Sequence, residues 1–108
     1  MTSPAFIPNV VHATPTRFVL AMARWKIARP ENWTQNNSRD GDAFCASGAI
    51  NDSALAGLAG LLARRALRAS IRLSEGKSIQ RWNDAAGRTH DEVLDAFDRA
   101  IVIARGMR

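Results

Sequence analysis

The 108-residue sequence has one cysteine, no tyrosine and no long apolar run. The single thiol, Cys45, cannot form a disulfide within the chain, so stability must come from packing. So low a cysteine content is typical of a protein in a reducing compartment. No apolar stretch approaches the roughly 18–20 residues that a membrane-spanning helix needs. The early prolines, Pro4 and Pro8, interrupt any secretory-type apolar run. These absences predict a cytoplasmic protein without a membrane partner.

The composition is that of an ordinary globular chain, because 46% of the residues are hydrophobic and 23% are charged. Alanine and leucine are abundant and β-branched residues are sparse after Val19, which favours helix over strand. We therefore expect an all-α fold, a compact bundle of about four principal helices plus one or two short ones. Residues 1–13 are predicted to be an irregular lead-in, and residues 14–108 a single helical domain.

The first helix is predicted from about residue 15 to 29, with Thr14 as N-cap and Pro30 as the stop. It is apolar on two sides. One side carries Phe18, Met22 and Trp25, and the other carries Val19, Leu20, Ala23 and Ile27. Such a helix either lies at the centre of the fold or lies under a partner, so a homodimer remains an alternative.

A short helical segment is predicted over residues 43–50, followed by a long helix over residues 53–73 with Asp52 or Ser53 as N-cap. The apolar stripe of the long helix is expected to face the core. It comprises Leu55, Leu58, Ala59, Leu62, Ala66, Ala69 and Leu73.

Two further helix starts carry cap signals. Ser78 is expected to cap a short helix that ends before Gly87, a residue suited to a left-handed position. Thr89 and Glu92 fit a capping box at the start of the last helix. The core stripe of that helix is predicted to be Val93, Leu94, Phe97, Ile101 and Ala104.

The sequence resembles a family of small bacterial and phage proteins, domain-of-unknown-function family 6197. The resemblance is carried by residues 31–35 (Glu-Asn-Trp-Thr-Gln), 45–50 (Cys-Ala-Ser-Gly-Ala-Ile) and, above all, 82–89 (Trp-Asn-Asp-Ala-Ala-Gly-Arg-Thr). Residues 92–94 (Glu-Val-Leu) and 98–100 (Asp-Arg-Ala) follow in the same order. It covers roughly residues 16–104. The resemblance implies a compact helical domain and no particular activity, and it directs attention to the block at 82–89.

The block at 82–89 supports two interpretations. In the first, its side chains form a recognition surface for a peptide, a base or a phosphate. That surface would comprise Trp82, Asn83, Asp84, Arg88 and Thr89. In the second interpretation the block is structural, and the residue types by themselves favour it. Trp82 would anchor the core, Asn83 and Asp84 would bond the loop backbone, and Thr89 would cap the last helix.

A stripe of basic residues on the predicted 53–73 helix and just beyond it is a second candidate surface. Between residues 58 and 81 only Glu75 opposes it, in a chain of net charge +5. The residues are Arg64, Arg65, Arg68, Arg72, Lys77 and Arg81. They could follow nucleic-acid phosphates, although no nucleic-acid motif accompanies them. The alternative is a solvated helix face whose charges pair with acids elsewhere.

No catalytic, metal or cofactor signature is recognisable. Cys45 lies among small apolar residues and is expected to be buried. His12 and His90 have no metal-ligand spacing with it, and His90 is expected at the exposed first position of the last helix. We therefore expect no cofactor and no metal.

The preferred interpretation is a non-enzymatic interaction or regulatory module of a bacterium or its mobile elements, with an unidentified protein partner. Nucleic-acid binding through the arginine stripe is the alternative. An enzyme with an unrecognised site is a remote third, which only a pocket with converging polar groups would support.

Overall fold

The computed structural model describes residues 15–54, 57–73 and 77–107, and the predicted lead-in at 1–13 and Thr14 lie outside them. Five α-helices occupy this part of the chain. They are α1 (Pro15–Lys26), α2 (Ala46–Ser53), α3 (Leu58–Ser70), α4 (Ile79–Asp84) and α5 (His90–Arg105). Four of the five have eight residues or more, so the predicted all-α fold is confirmed.

The loop between α1 and α2 has structure that the sequence did not predict. A 3₁₀ helix, Pro30–Asn32, follows α1. Two short strands, β1 (Arg39–Asp40) and β2 (Ala43–Phe44), then pair antiparallel around a turn at Gly41. These pieces bring the 33–38 segment against α2 and α4, where the side chains described below hold it.

The core lies between α1, α2, α3 and α5, and its largest fully buried apolar side chains come from these four helices and from Ile27, just after α1. They are Phe97, Leu20, Ile27, Ile50, Leu67 and Val93. The predicted stripe of the last helix is confirmed for Val93, Phe97 and Ala104, which are buried. Its other members, Leu94 and Ile101, are half-buried at the edge of the same cluster.

The predicted helix over residues 53–73 is wrong in its extent. Ser53 is the last residue of α2, and Ala54 has extended backbone. The next helix begins only after Gly57, whose φ of 70° and ψ of −136° no helix accommodates. A glycine tolerates this conformation without steric cost, so the chain breaks there and turns from α2 into α3.

The face that α3 buries also differs from the predicted stripe. Its buried residues are Gly60, Ala63, Ala66, Leu67 and Ser70, whereas Leu58 is 66% exposed. A Cβ on Gly60 would lie 2.9 Å from the Cβ of Ala54. The small residues let neighbouring helices approach closely, and this close packing outweighs burial of the larger leucines.

The helix starts at Ser78 and Thr89 are confirmed. The Ser78 hydroxyl accepts a hydrogen bond from the N–H of Arg81 at 3.0 Å. The Thr89 hydroxyl accepts from the N–H of Glu92 at 3.1 Å, and Glu92 Oε1 accepts from the N–H of Thr89 at 2.8 Å. Both caps are local, so the residues that make them can be recognised without a tertiary structure.

His90 occupies the first position of α5 as predicted, but it is half-buried rather than exposed. Its Nε2 lies 2.6 Å from the carbonyl oxygen of Ile27. A carbonyl only accepts, so Nε2 carries the proton and donates. The contact fixes the end of α1 against the start of α5. Among the described residues, no helix is long and apolar enough to cross a membrane.

Candidate functional site

Among the described residues, a groove of about 470 Å³ lies where the end of α3 meets α4 and the first half of α5. We call it the arginine groove. It is lined by Ser70, Ile71, Arg72, Trp82, Arg88, Glu92, Asp95 and Arg99. A second depression of about 360 Å³ shares Ser70, Arg72 and Arg99 and continues to Val102 and Ile103. The site is therefore polar at one end and partly apolar at the other.

One wall of the arginine groove is a stacked pair from the predicted block. The guanidinium carbon of Arg88 lies 4.2 Å from the centroid of the Trp82 ring, within cation–π range. The Nε of Arg88 donates to the carbonyl oxygen of Trp82 at 2.9 Å. These two contacts hold the guanidinium plane in one orientation, so few rotamers would be lost on binding a ligand.

Arg72, which follows the C-terminus of α3, also lines the groove. Its φ is 52°, a left-handed value that is uncommon for residues other than glycine. Its N–H donates to the carbonyl oxygen of Ala69 at 3.1 Å and so closes the end of the helix. The side chain is exposed, and within the described part of the chain no carboxylate oxygen lies within 4 Å of it.

Two carboxylates in the arginine groove already form ion pairs with neighbouring arginines. Asp95 pairs with Arg99, whose Nε lies 3.3 Å from its Oδ2. Glu92 Oε1 lies 3.7 Å from Arg88 Nη1. The pKa of Glu92 is lowered chiefly by the hydrogen bond from the N–H of Thr89 and, to a smaller extent, by the charge of Arg88. Arg72, in contrast, faces the groove with its charge unmatched by a described acid. An incoming anion would be attracted first to this residue.

Asn83 fits the structural interpretation of the block and not the recognition surface, because it is 0% exposed. Its Oδ1 accepts from the indole Nε1 of Trp33 at 2.7 Å and from the N–H of Ala46 at 3.0 Å. Its Nδ2 donates to the carbonyl oxygen of Thr34 at 3.0 Å and to Asp84 Oδ1 at 2.9 Å. All four bonds of the side-chain amide are made inside the protein, which is a structural role.

Asp84 and Thr89 also lie outside the arginine groove. Asp84 is half-buried, and its Oδ1 accepts from the N–H of Asn36 at 2.8 Å. Thr89 is exposed and caps α5. Of the five predicted recognition residues, the structure therefore brings only Trp82 and Arg88 to the groove.

Gln35 shares in this packing, although sequence reasoning assigned it no role. Its Nε2 donates to the carbonyl oxygens of Asn83 at 2.9 Å and of Ala85 at 3.1 Å. The only signal was the family resemblance, whose Glu-Asn-Trp-Thr-Gln segment ends at this residue. Arg99, a further lining residue, also stands in a segment of the resemblance, Asp98-Arg99-Ala100, but sequence reasoning assigned it no role.

The predicted basic stripe is spread over several environments. Arg65, Lys77 and Arg81 are exposed, and Arg72 belongs to the arginine groove. Arg68 is half-buried and donates to the carbonyl oxygen of Lys77. Arg64 is half-buried on α3, with its Nη1 3.5 Å from the Gly60 carbonyl oxygen. The stripe therefore does not present six free cations on one plane.

Cys45 is fully buried and caps α2, because its Sγ accepts from the N–H of Gly48 at 3.2 Å. Burial raises the pKa of its thiol above the usual 9.0. Such a thiol is protonated near neutral pH and is a poor nucleophile. Within residues 15–54, 57–73 and 77–107, no three His, Cys, Asp or Glu residues cluster as metal ligands would.

Comparison with known proteins gives one match. Residues 12–102 match the profile of a family described as "Family of unknown function (DUF6197)", which confirms the resemblance carried by the Trp82–Thr89 block. Neither a curated protein nor a solved structure matches the chain.

Proposed function

We propose that this chain, which belongs to that family of unknown function, is a non-enzymatic interaction module that binds an acidic segment of a partner protein in the arginine groove. One observation carries the proposal. Guanidinium groups from three separate places in the fold, Arg72, Arg88 and Arg99, line one groove together with an indole ring. Arginine and tryptophan are the residues most enriched at binding hot spots.

The shape of the groove favours a polypeptide segment as the ligand. The depression beyond Arg72 and Arg99 is lined by Val102 and Ile103, and Val102 is 60% exposed. A segment with a carboxylate followed by an apolar side chain would place the carboxylate near Arg72 and the apolar group against Val102. Glu92 and Asp95 disfavour a highly charged polyanion at the same place, because like charges repel.

Binding of a defined peptide tests the proposal. The probe is a fluorescein-labelled peptide of alternating glutamate and leucine, and the comparison is the same design with lysine in place of glutamate. We expect fluorescence anisotropy at low salt to show saturable binding of the glutamate peptide alone. Arg72→Ala should weaken this binding about tenfold, the size expected for one charge-assisted contact.

Arg105→Ala is the matched control, because Arg105 is exposed on α5 and lines neither depression. It removes the same charge and should leave the affinity within about twofold, as rim and distant charges contribute little. Equal weakening by both substitutions would mean attraction by net charge alone and would contradict a groove site. Failure of the glutamate peptide to bind at low salt would also overturn the proposal.

Arg88→Ala and Trp82→Ala separate recognition from folding. We expect Arg88→Ala to keep the helical circular-dichroism spectrum and lose peptide affinity, because Arg88 is held mainly by contacts with Trp82. If Arg88→Ala kept full affinity while Trp82→Ala simply unfolded the protein, the stacked pair would be structural only.

Nucleic-acid binding is the second candidate, and the exposed side of α3 favours it. Residues 57–73 include no acidic residue, and Arg65 is exposed with no described carboxylate within 4 Å. This function predicts an affinity for duplex DNA that falls steeply with salt, because bound counterions are released. Arg65→Ala should reduce the slope of log K against log salt by about 1. A salt-independent affinity, or none at low salt, would remove this candidate.

A further inference from the structure

The outward side of α1 is apolar from Phe18 to Trp25. Phe18 is 60% exposed and Trp25 is 71% exposed, while Ala21 is exposed and Met22 is half-buried between them. The opposite side of the helix is in the core, where Leu20, Ala23 and Ile27 are fully buried. The sequence predicted that a helix apolar on both sides is either central or covered by a partner. In the described structure only one of its sides is covered.

The charges at the two edges of this side are paired with acids from other helices. Along one edge, Arg24 Nε lies 2.6 Å from Asp98 Oδ1 of α5. Along the other, Lys26 Nζ lies 3.0 Å from Asp52 Oδ2 of α2. Each edge therefore offers both signs of charge, so a second copy would meet complementary groups despite the chain's net charge of +5.

We propose that this side of α1 is a self-association surface, on which a second copy of the chain packs with its own α1 antiparallel. The surface comprises Phe18, Ala21, Met22 and Trp25, none of which lines the arginine groove. The proposal goes beyond peptide binding and does not depend on it, because the two surfaces share no residue.

The spacing of the four residues is self-complementary. A two-fold axis that crosses α1 between Ala21 and Met22 places Phe18 of one copy opposite Trp25 of the other. It also places the small Ala21 opposite the large Met22. Closed dimers are built in this isologous way, and aromatic pairs add to the stability of such contacts. A small residue beside the axis lets the two helices approach closely.

The area of the surface predicts a reversible dimer. Aromatic side chains bury about 150–250 Å² each, so the exposed parts of the two rings supply roughly 200–330 Å² per copy. A stable interface needs about 800 Å² per partner, of which homodimers make about two thirds apolar. The remainder would come from Met22, Ala21 and the charged edges. Dissociation in the micromolar range is therefore expected rather than an obligate dimer.

Sedimentation equilibrium of the full chain over a wide concentration range tests the proposal. We expect the mass to rise toward twice 11.8 kDa with concentration. Trp25→Glu should weaken association more than tenfold, because a tryptophan that becomes buried in an interface is a typical hot spot. Leu58→Glu is the matched control: Leu58 is also apolar and 66% exposed, but it lies on α3 and lines neither depression. It should leave the association constant unchanged, and circular dichroism checks that both variants stay folded.

Disulfide cross-linking tests the antiparallel arrangement. Phe18→Cys and Trp25→Cys proteins, one of them tagged, are mixed under mild oxidation. Antiparallel packing predicts that the mixed disulfide exceeds both symmetric ones. A monomer at every concentration would overturn the proposal. That holds also if iodide quenching showed the Trp25 indole to be shielded by another part of the same chain. Dimers that Trp25→Glu leaves intact, or symmetric disulfides in excess, would overturn it as well.

Discussion

The indole N–H of Trp33 donates to the side-chain oxygen of Asn83 at 2.7 Å across 50 residues of sequence. The same oxygen accepts the N–H of Ala46 at the start of α2. One buried amide therefore ties together the loop after α1, the start of α2 and the helix α4. Because α4 also presents Trp82 to the arginine groove, this contact sets the position of one groove wall.

Removing the side-chain amide of Asn83 should destabilise the protein strongly. Asn83→Ala leaves the indole N–H of Trp33, the N–H of Ala46 and the carbonyl oxygen of Thr34 without their partner. Each unsatisfied buried group costs about 1–3 kcal/mol, so we expect a loss of about 3 kcal/mol or more. Urea denaturation measures it. Asn37→Ala, at an exposed site in the loop after α1, should change the free energy of unfolding by less than about 0.5 kcal/mol. Similar values for the two variants would contradict the prediction.

Gly48 is required by a close backbone approach. A Cβ at this position would lie 2.0 Å from the carbonyl oxygen of Ser38. Gly48→Ala must therefore push the hairpin away from α2, and we expect a cost of about 1–3 kcal/mol in thermal or urea unfolding. At Gly106 the nearest atom to a Cβ, Ile103 O, is at 3.6 Å, so Gly106→Ala should be nearly neutral. A neutral Gly48→Ala would show that the hairpin does not pack as described.

Because the pKa of Glu92 is lowered in the folded state, part of the free energy of unfolding depends on pH. A carboxylate whose pKa is lowered in the folded state stabilises the fold above its unfolded pKa, near the usual 4.5. That contribution is lost as the pH falls through the lower, folded pKa. The stability difference between the unmodified protein and Glu92→Gln should be constant near neutral pH and shrink below about pH 4.5. Urea unfolding at a series of pH values measures it, and a difference that grows toward acid would contradict the assignment.

The threonine of the capping box supplies a companion test. Thr89→Ala should cost about 1 kcal/mol, the usual value of an N-cap, and should also flatten the dependence on acid. Thr89→Ser keeps the hydroxyl and should retain both properties.

Cys45 should react with a disulfide reagent only when the protein opens. Its thiol is fully buried and its pKa is raised by burial, so little thiolate exists at pH 8. We expect Ellman's reagent to modify the folded protein at least about a hundredfold more slowly than the urea-unfolded protein. Ala86→Cys adds a thiol at an exposed site and should react at once with one equivalent. Rapid modification of Cys45 in the folded state would mean that α2 opens easily.

The arginine groove illustrates what sequence reasoning reaches and what it misses. Trp82 and Arg88 stand six residues apart in a block with a recognisable composition, so they could be selected. Arg99 stands in a segment of the same resemblance, but its place in the groove could not be predicted, because it depends on how α5 packs against the end of α3. For Asn83 the sequence left both a recognition role and a structural role open, and only its distant partners, Trp33 and Ala46, explain its full burial.

The sequence alone determined the helical class and the places where α4 and α5 begin, because hydroxyl caps and helical periodicity act within a few residues. It also determined which side of α5 is buried. The tertiary structure decided where the chain breaks at Gly57, that α3 packs through its small residues, and that the loop after α1 is bound to Asn83. These outcomes depend on how closely distant segments can approach and on which buried polar groups find partners, and neither is encoded in any short stretch of the chain.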